Sequence, residues 1–336
     1  MKICIVGAGA IGGLMGARLA QSGHDISLIA RGPHLRAIQK KGLAISFGED
    51  IELVQNLVAT GDMSELGHQD LVVMSLKAHQ ISAVADRLPC IIGPKTAMVT
   101  VQNGIPWWYF QKLGGDYQGR VVESVDPDGL LAKSIDPDCL IGCIAYPAAV
   151  ITEPGVIHHV EGNRFPIGEL DGRTTERITR VSEALIHAGF KSPILDDIRS
   201  EVWLKLWGNL SFNPISALTH ATLEGICQFP LSRELAASMM TEAKAIAERL
   251  GASFRVSLEK RIEGAEKVGR HKTSMLQDVE SGKPLEIDGM LGAVIELAEV
   301  VQVEVPTLQA VYSCVSLLDH TLQTENLRVQ AQPKII

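Results

Sequence analysis

The start of the chain limits its fold most. Lys2–Val6, KICIV, reads as a short buried strand, and Gly7-Ala8-Gly9-Ala10-Ile11-Gly12 follows as a full GxGxxG, with a helix running on to Leu19. Each glycine answers a steric demand. Gly7 permits the tight turn out of the strand, Gly9 lets a pyrophosphate approach the backbone, and Gly12 lets the helix pack on the strand. The helix N-terminus offers unpaired N–H groups and the positive end of its dipole to the phosphates. Strand, loop and helix in this order predict a dinucleotide site at Gly7, Ala8, Gly9, Ala10, Ile11 and Gly12, within an α/β fold on a parallel sheet. The same stretch has the charged start and apolar run of a signal peptide, but five glycines between Ile3 and Ala17 would weaken such a helix.

The next strand, Asp25–Ile29, tests which dinucleotide fits. An NAD site usually ends this strand in Asp or Glu, which binds the ribose hydroxyls. Here it ends Ala30-Arg31-Gly32. No carboxylate repels a 2′-phosphate, and the Arg31 guanidinium is set to pair with one, which predicts NADP(H). His34–Lys41 reads as helix and Leu43–Val58 as hairpin-like strands. Asp70–Leu76 is a buried strand that runs into Lys77-Ala78-His79-Gln80, where the carboxyl end of a parallel strand faces the cofactor crevice. Thr96–Val101 ends in Gln102-Asn103-Gly104. The Asn103 amide either hydrogen-bonds the nicotinamide ribose or substrate, or it is ordinary Asn-Gly turn chemistry.

From Arg120 to Glu169 further strands are expected: RVVESV, LIGCIAYPAAVI, GVIHHV and RFPIGEL. Neighbours in a strand point to opposite faces, so His158 and His159 cannot chelate together. Thr174–Ala188 reads as an amphipathic helix and Ser192–Leu195 as a last strand. The βα pattern then stops, which puts a boundary at Asp196-Asp197: residues 1–196 form the dinucleotide-binding domain, and residues 197–336 a domain that is helical almost throughout. Its expected helices are Glu201–Ala217, Ser232–Leu250, Ser257–Val268, Lys272–Ser281, Asp288–Val300 and Thr307–Thr321. Asp288 reads as an N-cap and Gly251 as a C′ glycine. The Leu- and Val-rich last helices suit either core or a dimer surface, and a polar, frayed tail is expected after Thr321.

The first of these helices has two faces. Trp203, Leu206, Trp207 and Leu210 recur at helical spacing as an apolar stripe. Lys205, Asn209 and Asn213 stand four residues apart on another edge. Pro214 is expected to bend or end the helix just after Asn213. The polar edge is either solvated or aimed at a substrate.

Composition narrows the classes. A chain of 336 residues, 46% hydrophobic, is long enough for two cored domains. A formal net charge of −8 and no Lys/Arg-rich run exclude the electrostatic footprint of a nucleic-acid binder. No uninterrupted apolar run would span a bilayer. Six scattered cysteines with no CxxC pair fit reduced thiols in the cytoplasm, with neither a disulfide framework nor a metal site.

Taken together, GAGAIG at Gly7–Gly12, Arg31, SLKAHQ at Ser75–Gln80, VQNG at Val101–Gly104, the Lys205/Asn209/Asn213-Pro214 helix, and TSMLQD…LEID across Thr273–Asp288 resemble the ketopantoate reductase (2-dehydropantoate 2-reductase) family. The matching pieces cover both domains in order. The resemblance implies an N-terminal Rossmann domain, an all-helical C-terminal domain, and NADPH-dependent reduction of a 2-oxo acid, with pantoate made on the route to pantothenate and coenzyme A. It further implies Lys205 as the catalytic lysine with Glu286 as acidic partner, and Asn209, Asn213 and Ser274 as substrate-binding, Ser274 at the carboxylate. Lys77 and Asn103 are implied at the cofactor, and Asn103 also at the edge of the substrate site. The chemistry agrees: hydride arriving at a ketone carbon leaves an alkoxide-like oxygen, which needs a positive donor and then a proton. An ammonium of pKa about 10.4 supplies both, and a neighbouring carboxylate favours its charged form.

Two positions depart from the pattern: Leu223 and His271 stand where family members acting on ketopantoate tend to carry asparagines. Loss of an amide partner weakens selection for a hydroxyl-bearing substrate, which keeps another branched or aromatic 2-oxo or 2-hydroxy acid as the alternative. A nucleotide-sensing regulator would have no need of Lys205 with Glu286. A methyltransferase would want an acid where Arg31 stands. The expected partners are a small-molecule 2-oxo acid and, as an open option, a second copy of the chain, without nucleic acid or membrane.

Overall fold

A computed structural model describes residues 1–330, the side chains of Ala78 and His79 aside, so the end of the expected polar tail lies outside the described residues. The chain packs as two compact units. One comprises Met1–Gln102, Trp107–Val121 and Asp128–Ile198; the other comprises Asn103–Pro106, Val122–Pro127 and the chain from Arg199 onward.

The first unit contains β1 (Lys2–Val6), α1 (Ala10–Gln21), β2 (Asp25–Ile29), α2 (Gly32–Lys41), β3 (Leu43–Phe47), β4 (Asp50–Val54), β5 (Leu57–Thr60), β6 (Leu71–Met74), α3 (Ala78–Ile81) and β7 (Ala97–Thr100). It continues with α4 (Leu130–Ser134), β8 (Leu140–Cys143), β9 (Ala148–Glu153), β10 (Val156–Glu161), β11 (Ile167–Glu169) and α5 (Glu176–His187). Seven strands form the main sheet in the order β11-β8-β7-β6-β1-β2-β5. All neighbours pair in parallel except β11, which runs antiparallel to β8. β1, β6 and β7 are sealed on both faces apart from Lys2, as the unbroken apolar runs KICIV, LVVM and AMVT require. The chain winds outward through β2 to β5 and returns to β6 on the other side of β1. The strand order therefore reverses between β1 and β6, and the crevice at their carboxyl ends is the ligand position such a sheet offers.

Four further strands form a second sheet, β4-β3-β10-β9. The hairpin expected over Leu43–Val58 holds for β3 and β4, but the chain from Leu57 leaves it and pairs in parallel with β2. RVVESV is not a strand. Val122–Pro127 packs in the second unit as turns, with the Glu123 and Ser124 N–H groups both donating to the Glu296 carboxylate at 2.8 Å. The expected last strand is reduced to isolated bridges at Lys191 and Ile194. Trp107 to Phe110 fill core, and Trp108 Nε1 donates to Thr100 Oγ1 at 2.7 Å.

The second unit contains α6 (Ile198–Thr219), α7 (Leu223–Gln228), α8 (Pro230–Arg249), α9 (Leu258–Lys267), α10 (Ser274–Ser281), α11 (Ala293–Val301) and α12 (Pro306–Thr324). Trp203, Leu206, Trp207 and Leu210 of α6 are all at most 1% exposed, and Trp207 Nε1 donates to the Met240 carbonyl at 2.6 Å. Pro214 does not end α6, which runs on to Thr219. Proline deletes only one ladder bond, that to the Leu210 carbonyl, and burial of Ile215, Ser216 and Ala217 offsets it. Asp288 is not an N-cap: α11 is preceded by a wide π-type stretch over Asp288–Gly292, and Asp288 Oδ1 accepts from the Tyr312 hydroxyl at 3.1 Å. Gly251 closes α8 at φ +85. The apolar stripes of α11 and α12 are core, through Val294, Leu297, Val301, Leu308, Val311 and Val315. All six cysteines are free thiols. No helix among the described residues is long and apolar enough to cross a membrane.

Candidate active site

The glycine loop leaves β1 with Gly7 at φ +104, where an added Cβ would press on Leu76 at 2.8 Å. Gly12 has even less room. A Cβ there would lie 2.1 Å from Ser75 Oγ and 2.2 Å from the Gly7 carbonyl, because Ser75 Oγ itself donates to that carbonyl at 2.7 Å. Gly9 is the opposite case: its φ is −69 and no atom lies within 4 Å of an added Cβ. A backbone that any residue could adopt, bordered by open space, is what a pyrophosphate needs for close approach. Gly7 and Ala8 N–H both donate to the Ile29 carbonyl at the end of β2, which ties the loop to the strand that carries Arg31. Arg31 is exposed at the N-terminus of α2, a helix with no acid in its first turn. Lys77 stands half-buried just after β6. These residues fit a dinucleotide with a phosphorylated ribose. Beneath them burial pushes the Cys4 thiol up to about 12, so it is inert.

In the second unit the polar edge of α6 is not a solvated face. Lys205 is half-buried and its Nζ donates to Asn103 Oδ1 at 2.6 Å. Asn103 follows β7 in sequence but packs in the second unit with Gly104, whose φ is +84; the Ile105 N–H donates to the Gly289 carbonyl at 2.8 Å. A Cβ on Gly104 would meet that carbonyl at 2.2 Å, so the Asn-Gly pair fixes where the amide sits. Asn213 is buried, and its Nδ2 donates to Ser274 Oγ at 3.4 Å and approaches Met290 Sδ at 3.8 Å. Ser274 is exposed as the first residue of α10, whose N-cap Thr273 accepts from the Leu276 N–H. With Oγ accepting from Asn213, the serine O–H is left to donate at the positive end of a helix, an arrangement suited to a carboxylate. Asn209 lies half-buried between Lys205 and Asn213, with its amide unengaged among the described residues.

Glu286 is half-buried in the segment that leads into the π-type stretch, and its carboxylate forms no ion pair or hydrogen bond among the described residues. The Lys205–Glu286 pair implied by resemblance is thus not formed here. The Asn103 amide is one of the lysine's partners. Sequence reasoning named both Lys205 and Asn103 without pairing them, since residues so far apart meet only through packing. It missed Arg261, whose Nη2 would lie 2.0 Å from a Cβ on Gly208, beside the polar edge of α6. The one available signal was a glycine inside a helix, which marks close approach. Leu223 and His271 prove to be neighbours: the Leu223 N–H donates to the His271 carbonyl at 3.0 Å. His158 and His159 take separate partners, Ser46 Oγ and the Glu161 and Gly162 carbonyls. Among the described residues no group of three or more His, Cys, Asp or Glu could hold a metal ion.

Comparison with known proteins gives the family. The family model described as ketopantoate reductase PanE/ApbA matches residues 3–172, and that of its C-terminal part matches residues 197–319. A 2-dehydropantoate 2-reductase from Mesorhizobium japonicum is 49% identical over 95% of this chain and 98% of its own length. Another from Pyrococcus horikoshii is 30% identical over 91% and 93%. A solved candidate ketopantoate reductase from Ralstonia solanacearum superposes with a TM-score of 0.91 at 37% identity, covering 97% of this chain and 99% of that one. Glycine loop, reversed strand order, polar α6 edge and these likenesses converge: the chain belongs to the ketopantoate reductase family.

Proposed function

We propose that the chain reduces 2-dehydropantoate to pantoate with NADPH, with Lys205 as general acid. The observation that carries this reading is the half-buried Lys205 ammonium held at 2.6 Å by Asn103 Oδ1, on the helix edge it shares with Asn209 and Asn213. Bound dihydronicotinamide supplies hydride to the ketone carbon. Lys205 stabilises the charge that develops on the ketone oxygen and delivers a proton there. Asn103, an acceptor only toward the ammonium, orients Nζ without neutralising it. Ser274, its Oγ already accepting from Asn213, turns its O–H to the substrate carboxylate at the N-terminus of α10. Asn209 is the amide left to bind substrate, and Glu286 the acid that returns to Lys205 when substrate is bound. Gly7 to Gly12 cradle the pyrophosphate, Arg31 pairs with the 2′-phosphate, and Lys77 lies along the same cofactor. Residues 1–196 and 197–336 divide the labour as cofactor and substrate domains. The reading places the enzyme in the cytoplasm, where six unpaired thiols are at home, and takes a homodimer as its assembly, to be checked by sedimentation.

A second reading has its own observation. Leu223 and His271, backbone-paired and both half-buried, put an apolar side chain and an imidazole together where amides were expected. That favours a branched or aromatic 2-oxo acid without the extra hydroxyl. Steady-state rates with ketopantoate, 2-oxoisovalerate and phenylpyruvate separate the two. The first reading expects kcat/KM for ketopantoate to exceed both rivals by at least about tenfold; a value no better than theirs would transfer the assignment to the second.

A further inference from the structure

The π-type stretch at Asp288–Gly292 breaks the α-helical ladder at one defined atom. The Ala293 N–H donates to the Asp288 carbonyl, five residues back, and so passes over the Gly289 carbonyl, its acceptor in a regular α-helix. Gly289 instead accepts from the Ile105 N–H at 2.8 Å, two residues along from Asn103 and its bond to Lys205. The next residue, Met290, brings its Sδ to 3.8 Å from Asn213 Nδ2, the group that donates to Ser274 Oγ. Adjacent residues of one stretch thus touch both polar pairs of the α6 edge. Single wide turns of this kind are rare in helices and collect at functional sites.

Two side chains of α12 hold the segment that leads into this turn. Asp319 Oδ1 accepts from the Leu285 N–H at 3.1 Å, and the Tyr312 hydroxyl donates to Asp288 Oδ1 at 3.1 Å. Tyr312 and Asp319 stand seven residues apart, two helical turns, and so share one face of α12. Leu285 is buried, and Glu286 sits half-buried between the two anchors. No step above uses either α12 residue. We propose that Tyr312 and Asp319 are positioning residues for the reduction. By clamping Leu285 and Asp288 they hold the Gly289 carbonyl against the Asn103 loop, and with it the amide that orients the Lys205 ammonium; the same clamp fixes where Glu286 stands. The proposal rests on the reading of Lys205 as general acid and extends it to the last helix of the chain.

Five variants test it. For each, kcat and KM are measured at saturating NADPH with the preferred of the three acids compared above, NADPH affinity by nicotinamide fluorescence titration, and stability by thermal melting. Tyr312→Phe deletes the hydroxyl alone, and Asp319→Leu the acceptor. Asp319→Asn keeps an oxygen in the acceptor position. Glu242→Gln is the stability control: the Glu242 carboxylate accepts from the Thr307 and Leu308 N–H groups, both at 2.9 Å, so its loss loosens the start of α12 without touching Leu285–Gly292. Lys205→Ala tests the reading underneath. In Tyr312→Phe and Asp319→Leu kcat should fall about tenfold, the worth of one hydrogen bond, with KM and NADPH affinity within about twofold of wild type. Asp319→Asn should recover kcat to within about threefold, and Glu242→Gln should melt below wild type yet keep kcat within about twofold. A merely structural clamp would lower the melting temperature and leave kcat, measured well below melting, where it was. Wild-type kcat in either Tyr312→Phe or Asp319→Leu, or an equal fall in Glu242→Gln, would overturn the proposal and leave the role of Lys205 standing. Full turnover by Lys205→Ala would overturn it together with the reading it rests on.

Discussion

Gly9 and Gly12 share one loop and bear opposite constraints. Gly12 is hemmed in by backbone and by Ser75 Oγ, so Gly12→Ala must displace α1 or β6; overpacking of this kind costs about 1–3 kcal/mol. Its melting temperature should fall, and its NADPH affinity with it. Gly9→Ala adds a methyl group to open space on a permitted backbone, so its melting curve should overlay that of wild type while NADPH binding weakens at least about tenfold. Melting and titration of the two variants check this directly; equal melting losses would mean that Gly9 is structural. These glycines were legible because local backbone geometry alone dictates them. The Lys205–Asn103 bond was not, because it depends on how distant segments pack and which rotamers they select. Glu286 was carried over by likeness, and among the described residues its carboxylate forms no hydrogen bond or ion pair.

Among the elements, α6 shows both the reach and the limit of pattern reading. The spacing of Trp203, Leu206, Trp207 and Leu210 gave the buried stripe directly, whereas Pro214 suggested an end that packing overrides. α7 escaped because LEGICQ is too short for periodicity to register. RVVESV looked like a strand because its apolar residues are β-branched, but it has no strand to pair with. A single side chain from α11 fixes it instead: the Glu296 carboxylate accepts from Glu123 N–H, Ser124 N–H and Ser124 Oγ, the last at 2.6 Å. Glu296→Ala would strand those backbone donors and should destabilise the fold by about 2–4 kcal/mol, with Glu296→Gln recovering part of the loss. Urea midpoints of the two variants measure it. A midpoint unchanged in Glu296→Ala would show that the turn holds itself.

The molecule as a whole responds to pH through two half-buried imidazoles. Burial, first among the causes, lowers the pKa of both His24 and His34 below the ordinary value of 6.5. Below pH 6.5 the unfolded chain therefore binds protons that the folded chain does not, and stability must fall as the pH drops from 6.5 through the lowered folded values. Urea midpoints at pH 7.5 and 5.5 check the sign, and His34→Gln should flatten the slope. Fold class was readable because a strand–glycine loop–helix start and an uninterrupted helical second half each admit few architectures. The substrate's side chain was not, because it turns on what Leu223 and His271 touch. The central claim is that the α6 ammonium protonates the reduced ketone. Single-turnover and steady-state rates of Lys205→Ala with NADPH and ketopantoate, beside an NADPH titration, test it most directly. The account predicts a fall in kcat of about a thousandfold with NADPH affinity unchanged; turnover within about twofold of wild type would contradict it.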